Sequence, residues 1–215
     1  MFRLYGDPIS GNCYKVALIL HLTGRPFELV TTSVLDGETR SDAFRSLNPD
    51  GRVPLLRFPD GRCLGESNAI LWSLARGTAY KPDDPATEDE LLAWLFFEQY
   101  GHEPNIATVR FLRAYKGVAE GMAETVAASE AAGRHALGVM NAALTQRDFL
   151  VGGRFTIADI ALVAYTQVAH EGGFALGEFP AVAAWVDRVL DQRGVEPLER
   201  LFAQAPSATT SLAAA

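Results

Sequence analysis

From residue 1 to residue 76 the chain keeps switching between two hydrophobic periods, and beyond residue 86 it stops switching. That contrast limits the fold more than any single motif, because a two-residue period builds strands and a 3.6-residue period builds helices. Phe2–Tyr5 reads as a strand and is followed by a Gly, Asp, Pro and Ser turn. From Gly11 the apolar positions recur at helical spacing, with Val16, Ile19, Leu20 and Thr23 on one face. Gly24 ends that helix, and Phe27–Thr31 reads as a second strand. Ser41–Leu47 is a short helix closed by Asn48-Pro49. Pro54–Phe58 and Arg62–Leu64 form a hairpin across Pro59-Asp60-Gly61, and Ser67–Arg76 is helical again.

Gly77–Ala86 (GTAYKPDDPA) reads as a linker, rich in Pro, Gly and Asp. After it the pattern is helical almost throughout. Thr87-Glu88-Asp89-Glu90 has the form of a capping box, as does Thr156-Ile157-Ala158-Asp159, which Phe155 and Ile160 flank at hydrophobic-staple offsets. Phe179–Gln192 and Val195–Phe202 read as two further short helices. Residues 204–215 (QAPSATTSLAAA) are small and polar and are expected to form a flexible tail. The expected organisation is therefore an α/β domain at 1–76, a linker at 77–86 and an all-helical domain at 87–203.

Composition excludes several functions. The formal charge of -7 speaks against nucleic acid, whose binding needs a basic patch. His21, His102, His135 and His170 are scattered without metal-ligand spacing, so no metal is expected. Cys13 and Cys63 are too few for a disulfide framework and suit a reducing compartment. No apolar run approaches a membrane span, and MFRLYGDPIS lacks the basic segment and apolar core of a leader. The expectation is a cytoplasmic protein.

The order β-α-β-α-β-β-α is that of the thioredoxin fold. Three motifs then fall in sequence on it: Ser10-Gly11-Asn12-Cys13-Tyr14-Lys15-Val16, Asn48-Pro49-Asp50-Gly51-Arg52-Val53-Pro54 and Glu66-Ser67-Asn68-Ala69-Ile70. The Phe155–Ile160 staple and Phe179-Pro180-Ala181-Val182-Ala183-Ala184-Trp185 follow in the helical half. Together these five resemble the cytosolic glutathione transferase superfamily over residues 1 to about 203, and its theta-like, serine-type members most. Ser41-Asp42-Ala43-Phe44 before Asn48-Pro49 supports that placement. Theta-type relatives often carry His near the glycyl carboxylate of glutathione, where this chain has Thr39.

The resemblance implies an enzyme with glutathione as co-substrate, a small electrophile or peroxide as second substrate, and a homodimer. A free thiol titrates at about 8.5, so such an enzyme must favour the thiolate. Ser10, at a helix start, can donate a hydrogen bond to that sulfur, with Asn12 and nearby amides as further donors. The plainer reading makes Ser10 a helix N-cap. Ser10 and Cys13 have C-x-x-C spacing, so Cys13 is either a neighbour beneath the site or the thiol of a disulfide reductase. Val53-Pro54 is expected to be cis and to offer the Val53 backbone to an extended peptide. Glu66 and Ser67 suit the γ-glutamyl ammonium and carboxylate, and Arg52 the glycyl carboxylate or plain solvent. For the second substrate, Glu103, Ala107 and Arg110 share a stripe with Gln99, beside Tyr100, and a solvated or interdomain face fits that stripe equally. Pro104 should kink this helix. A third reading, a glutathione-fold module without catalysis, has no need of the intact Ser10, Val53-Pro54 and Glu66-Ser67 set.

Overall fold

The computed structural model describes residues 1–204, so the expected tail lies, from residue 205 on, outside the described residues. The chain forms two compact units. The first comprises Met1–Thr78 together with the segment that starts at Gly194, and the second is Ala79–Arg193.

The first unit is a four-stranded sheet with helices. Its elements are β1 (Phe2–Gly6), α1 (Gly11–Leu22), β2 (Phe27–Thr31), α2 (Asp42–Leu47), β3 (Leu55–Arg57), β4 (Cys63–Leu64) and α3 (Ser67–Ala75). The order across the sheet is β2-β1-β3-β4, with β1 and β2 parallel and both β3 pairings antiparallel. This is the thioredoxin-like arrangement that the alternating periods predict. Successive strand residues face opposite sides. Leu4, Leu29 and Leu56 stand in register on one face, and Tyr5, Val30 and Leu55 on the other, where Phe44 of α2 packs on them. Ser41 caps α2 by accepting from the Phe44 N–H at 3.2 Å. Helix α1 is buried on every side from Cys13 to Leu20, and α3 and α9 (Leu198–Gln204) pack on it. The Tyr14 hydroxyl fastens the returning segment by donating to the Glu196 carbonyl at 2.8 Å.

The second unit is helical: α4 (Pro85–Phe97), α5 (Glu103–Phe111), α6 (Ala123–Leu144), α7 (Ile157–Thr166) and α8 (Pro180–Leu190). One capping expectation needs correction. Helix α4 starts two residues ahead of Thr87, and Asp84 is its N-cap, accepting from the Thr87 N–H at 3.0 Å and the Thr87 hydroxyl at 2.7 Å. Asp followed by Pro at the first helical position is the stronger start signal. Glu90 consequently does not reach back to a cap but pairs with Arg147 at 2.6 Å. The second box forms as read: Thr156 caps α7, and Asp159 accepts from the Thr156 N–H at 2.9 Å. Pro104 lies inside a helical run, as read: a widened π-turn over Glu98–His102 leads from α4 into α5 just before it, with the backbone helical throughout. Such a turn suits the missing proline donor, because it re-registers the backbone bonds just before the ring. No helix of the described residues is long and apolar enough to cross a membrane.

Candidate functional site

The site is assembled in the first unit from the turn after β1, the loop before β3 and the start of α3. Asp7 shapes the first of these. Its buried carboxylate accepts from the Ile9 N–H at 3.1 Å and the Val34 N–H at 2.8 Å, and its carbonyl accepts from the Ser10 N–H at 2.9 Å. Ser10 is thereby held, half-buried, at the N-cap of α1, where its Oγ accepts from the Cys13 N–H at 3.3 Å. A capping serine uses a lone pair and keeps its proton. The cap and the thiolate donor are therefore compatible roles for one hydroxyl, not rivals.

Cys13 lies directly beneath. It is fully buried, and its Sγ is 3.0 Å from the point a Cβ on Gly6 would occupy, so a side chain there would have to push the thiol aside. Burial pushes its thiol up to about 12, against the partial pull of the Ser10 hydrogen bond. A thiol held this way is a poor nucleophile at neutral pH.

Asn12 and Ser67 meet, although 55 positions separate them. The Ser67 hydroxyl donates to Asn12 Oδ1 at 3.2 Å and accepts from the Lys15 ammonium at 3.3 Å. Ser67 opens α3, and Glu66 before it has φ 62°, the one positive φ at a non-glycine among the described residues. A left-handed glutamate costs of order 1 kcal/mol or more, and strain of this kind collects at ligand sites. Lys15 is 0% exposed on a helix of apolar neighbours.

The Val53-Pro54 bond is cis. Among the described residues nothing hydrogen-bonds to the Val53 backbone N–H or C=O, while Pro54 is buried. Asn48 holds this loop by donating from Nδ2 to the Arg52 carbonyl at 2.7 Å. The Arg52 side chain is exposed and ion-pairs with Asp50 at 3.3 Å. Thr39 is buried in a 3₁₀ turn, its carbonyl 3.0 Å from where a Gly51 Cβ would stand.

The second-substrate candidates are dispersed within the second unit. Tyr100, in the π-turn, is 90% exposed. Glu103 and Ala107, both half-buried, follow on α5. Arg110 is buried and engaged internally, donating to Glu171 at 3.0 Å and to the Tyr115 hydroxyl at 2.7 Å. His102 is buried, its Nε2 at 2.9 Å from the Thr166 hydroxyl, which itself donates to the Leu162 carbonyl at 2.6 Å. Among the described residues no group of three or more His, Cys, Asp or Glu side chains could hold a metal ion.

Sequence reasoning passed over Asp7, Lys15 and Asn48. Signals pointed to two of the three: an Asp-Pro pair is a turn former, and Lys15 is the lone charge in Cys13–Leu20.

Comparison with known proteins bears on the family and the fold. Residues 9–76 match the family model "Glutathione S-transferase, N-terminal domain", and residues 94–192 match "Glutathione S-transferase, C-terminal domain". A crystal structure of a glutathione S-transferase from Pseudomonas fluorescens is similar with TM-score 0.89 and 45% identity, over 92% of this chain and 98% of that one. Glutathione S-transferase 3 of Zea mays is 31% identical over 87% of this chain and 88% of its own length. Ure2p in complex with glutathione is 29% identical with TM-score 0.81, over 90% and 96% of the two chains. Both domain models fall in order on the sheet unit and the helical unit, and the chain belongs to the glutathione S-transferase family.

Proposed function

We propose that this glutathione transferase activates the thiol of glutathione at Ser10, for conjugation to a small electrophile or for reduction of a peroxide. The observation that carries the reading is the Ser10 geometry. Its oxygen accepts from the Cys13 N–H as the cap of α1, and a hydroxyl used that way still has its proton to donate to a sulfur. The positive end of the twelve-residue α1 favours an anion at the same place. Asn12 supplies a second donor. Glu66 takes the γ-glutamyl ammonium and the Ser67 N–H its carboxylate, while the Val53 backbone pairs with the extended peptide. Arg52 and Thr39 stand for the glycyl end. Tyr100, Glu103, Ala107 and Arg110 stand for the electrophile, Arg110 being ion-paired with Glu171.

The test is calorimetric titration with glutathione, followed by assays on aryl halides, epoxides, hydroperoxides and disulfides. Binding with turnover of an electrophile or hydroperoxide is expected. Absence of binding at millimolar glutathione overturns the reading, and binding without turnover of any kind leaves the non-catalytic module in its place.

The working assembly is a homodimer in the cytoplasm. Phe96 is 70% and Tyr100 90% exposed, one helical turn apart on the outer side of α4 and its π-turn. Two exposed aromatics side by side suit an interface, and a two-fold partner supplies one. Sedimentation should give twice the 23.3 kDa chain mass, and a mass of one chain overturns the dimer.

A further inference from the structure

Lysine is almost never fully buried, because its charge loses its hydration there. Lys15 is nonetheless buried completely, in the middle of the apolar stretch of α1. Its ammonium points at the start of α3, 3.3 Å from Ser67 Oγ. An ammonium has donors and no acceptor, so Ser67 must accept from it. The serine proton is left for a second partner, and it goes to Asn12 Oδ1 at 3.2 Å. An amide whose oxygen faces Ser67 turns its NH₂ the other way. The chain Lys15 to Ser67 to Asn12 thus has only one possible direction, set by the group that cannot accept.

Building on the glutathione reading above, the geometry points to Lys15 as a positioning residue that acts through Ser67 on both ends of the bound tripeptide. At the γ-glutamyl end, the Ser67 hydroxyl is committed to Asn12, and the carboxylate takes the Ser67 backbone N–H with the buried positive charge close behind it. At the thiol end, the same chain keeps the Asn12 amide turned so that it donates and does not present its oxygen to an anion. Lys15 itself touches no substrate, and no serine or asparagine alone could impose the direction, since both can donate and accept.

A double-mutant cycle on the full-length chain tests this, with Lys15→Met, Ser67→Ala and the pair. Methionine matches the lysine stem in shape, and circular dichroism and thermal melting verify folding. Lys15→Met should raise the glutathione KM and lower kcat, each by about tenfold, the size of one hydrogen bond from a charged donor. In the Ser67→Ala background the same change should cost less than about twofold, because the relay is already cut. The ultraviolet absorbance of enzyme-bound thiolate should fall in step with kcat. Parental KM and kcat in folded Lys15→Met overturn the inference, as does an equal loss in both backgrounds. If Lys15→Met does not fold, Lys15→Leu, which likewise has no donor, takes its place in the cycle with the same criteria. A parent chain that binds no glutathione sinks the functional reading itself, whereas a parent that binds beside an unaffected Lys15 variant sinks only the role of Lys15.

Discussion

Trp185 Nε1 donates to Asp159 Oδ1 at 2.9 Å, and both side chains are fully buried. The same carboxylate accepts from the Leu150 N–H at 3.0 Å, the Thr156 N–H at 2.9 Å and the Thr156 hydroxyl at 3.2 Å. One side chain therefore joins the start of α7, the loop before it and α8. Asp159→Ala leaves buried donors without an acceptor, each costing about 1–3 kcal/mol. The urea midpoint should fall by the equivalent of about 3 kcal/mol or more, and a loss below about 1 kcal/mol would show the donors finding other partners.

Burial raises the Asp159 carboxyl from 3.8 to about 6, even with these donors pulling it down. A carboxyl raised on folding keeps its proton where the unfolded chain has lost it. Its contribution to stability is full below about pH 4 and is lost as pH rises through about 6. The stability gap between the parent and Asp159→Ala should therefore narrow from pH 4 to pH 6. A gap that widens over that window would mean the donors outweigh burial.

Two variants separate the roles of Ser10. Ser10→Ala removes both cap and donor, so kcat should fall by about 10²-fold and stability by about 1 kcal/mol. Ser10→Asp keeps a strong cap but has no proton to give at neutral pH. It should melt close to the parent while losing at least as much kcat. An active Ser10→Asp would reduce Ser10 to a cap.

Cys13→Ala should retain conjugation within about threefold, since a thiol raised to about 12 supplies no nucleophile at neutral pH. In the folded parent, Cys13 should also resist alkylation until denaturant is added. Rapid labelling of Cys13 in the native chain would restore the reductase reading.

The Tyr5 hydroxyl is buried and has no hydrogen-bond partner among the described residues, with Phe44 packed edge-on at 6.4 Å. Phenylalanine keeps the ring and removes an unsatisfied group. Tyr5→Phe should melt at or above the parent, by up to roughly 1 kcal/mol of added stability, and a clear loss would reveal an acceptor for the hydroxyl.

Local chemistry made much of this chain readable before folding. Strand and helix periods gave the β-α-β-α-β-β-α order, and Ser41 and Thr156 announced two helix starts. These features depend on residues within a few positions of each other, so their energetics are written in the sequence. Thr87 misled for the same reason: a capping pattern competes with its neighbours, and Asp84-Pro85 is the better start.

Tertiary structure decided what depends on partners distant in the chain. No local pattern says that the segment from Gly194 leaves the helical half and fastens to Tyr14, 182 positions from Glu196. The internal engagement of Arg110 by Glu171, 61 positions away, is of the same kind. So is the depth of Cys13, whose thiol is raised chiefly because the fold removes water from it. Composition and period determine which faces must be buried. Which polar group then meets which inside, as Lys15 meets Ser67, is set only when the whole sheet and its helices close around them, because hydrogen bonds are directional where the hydrophobic effect is not.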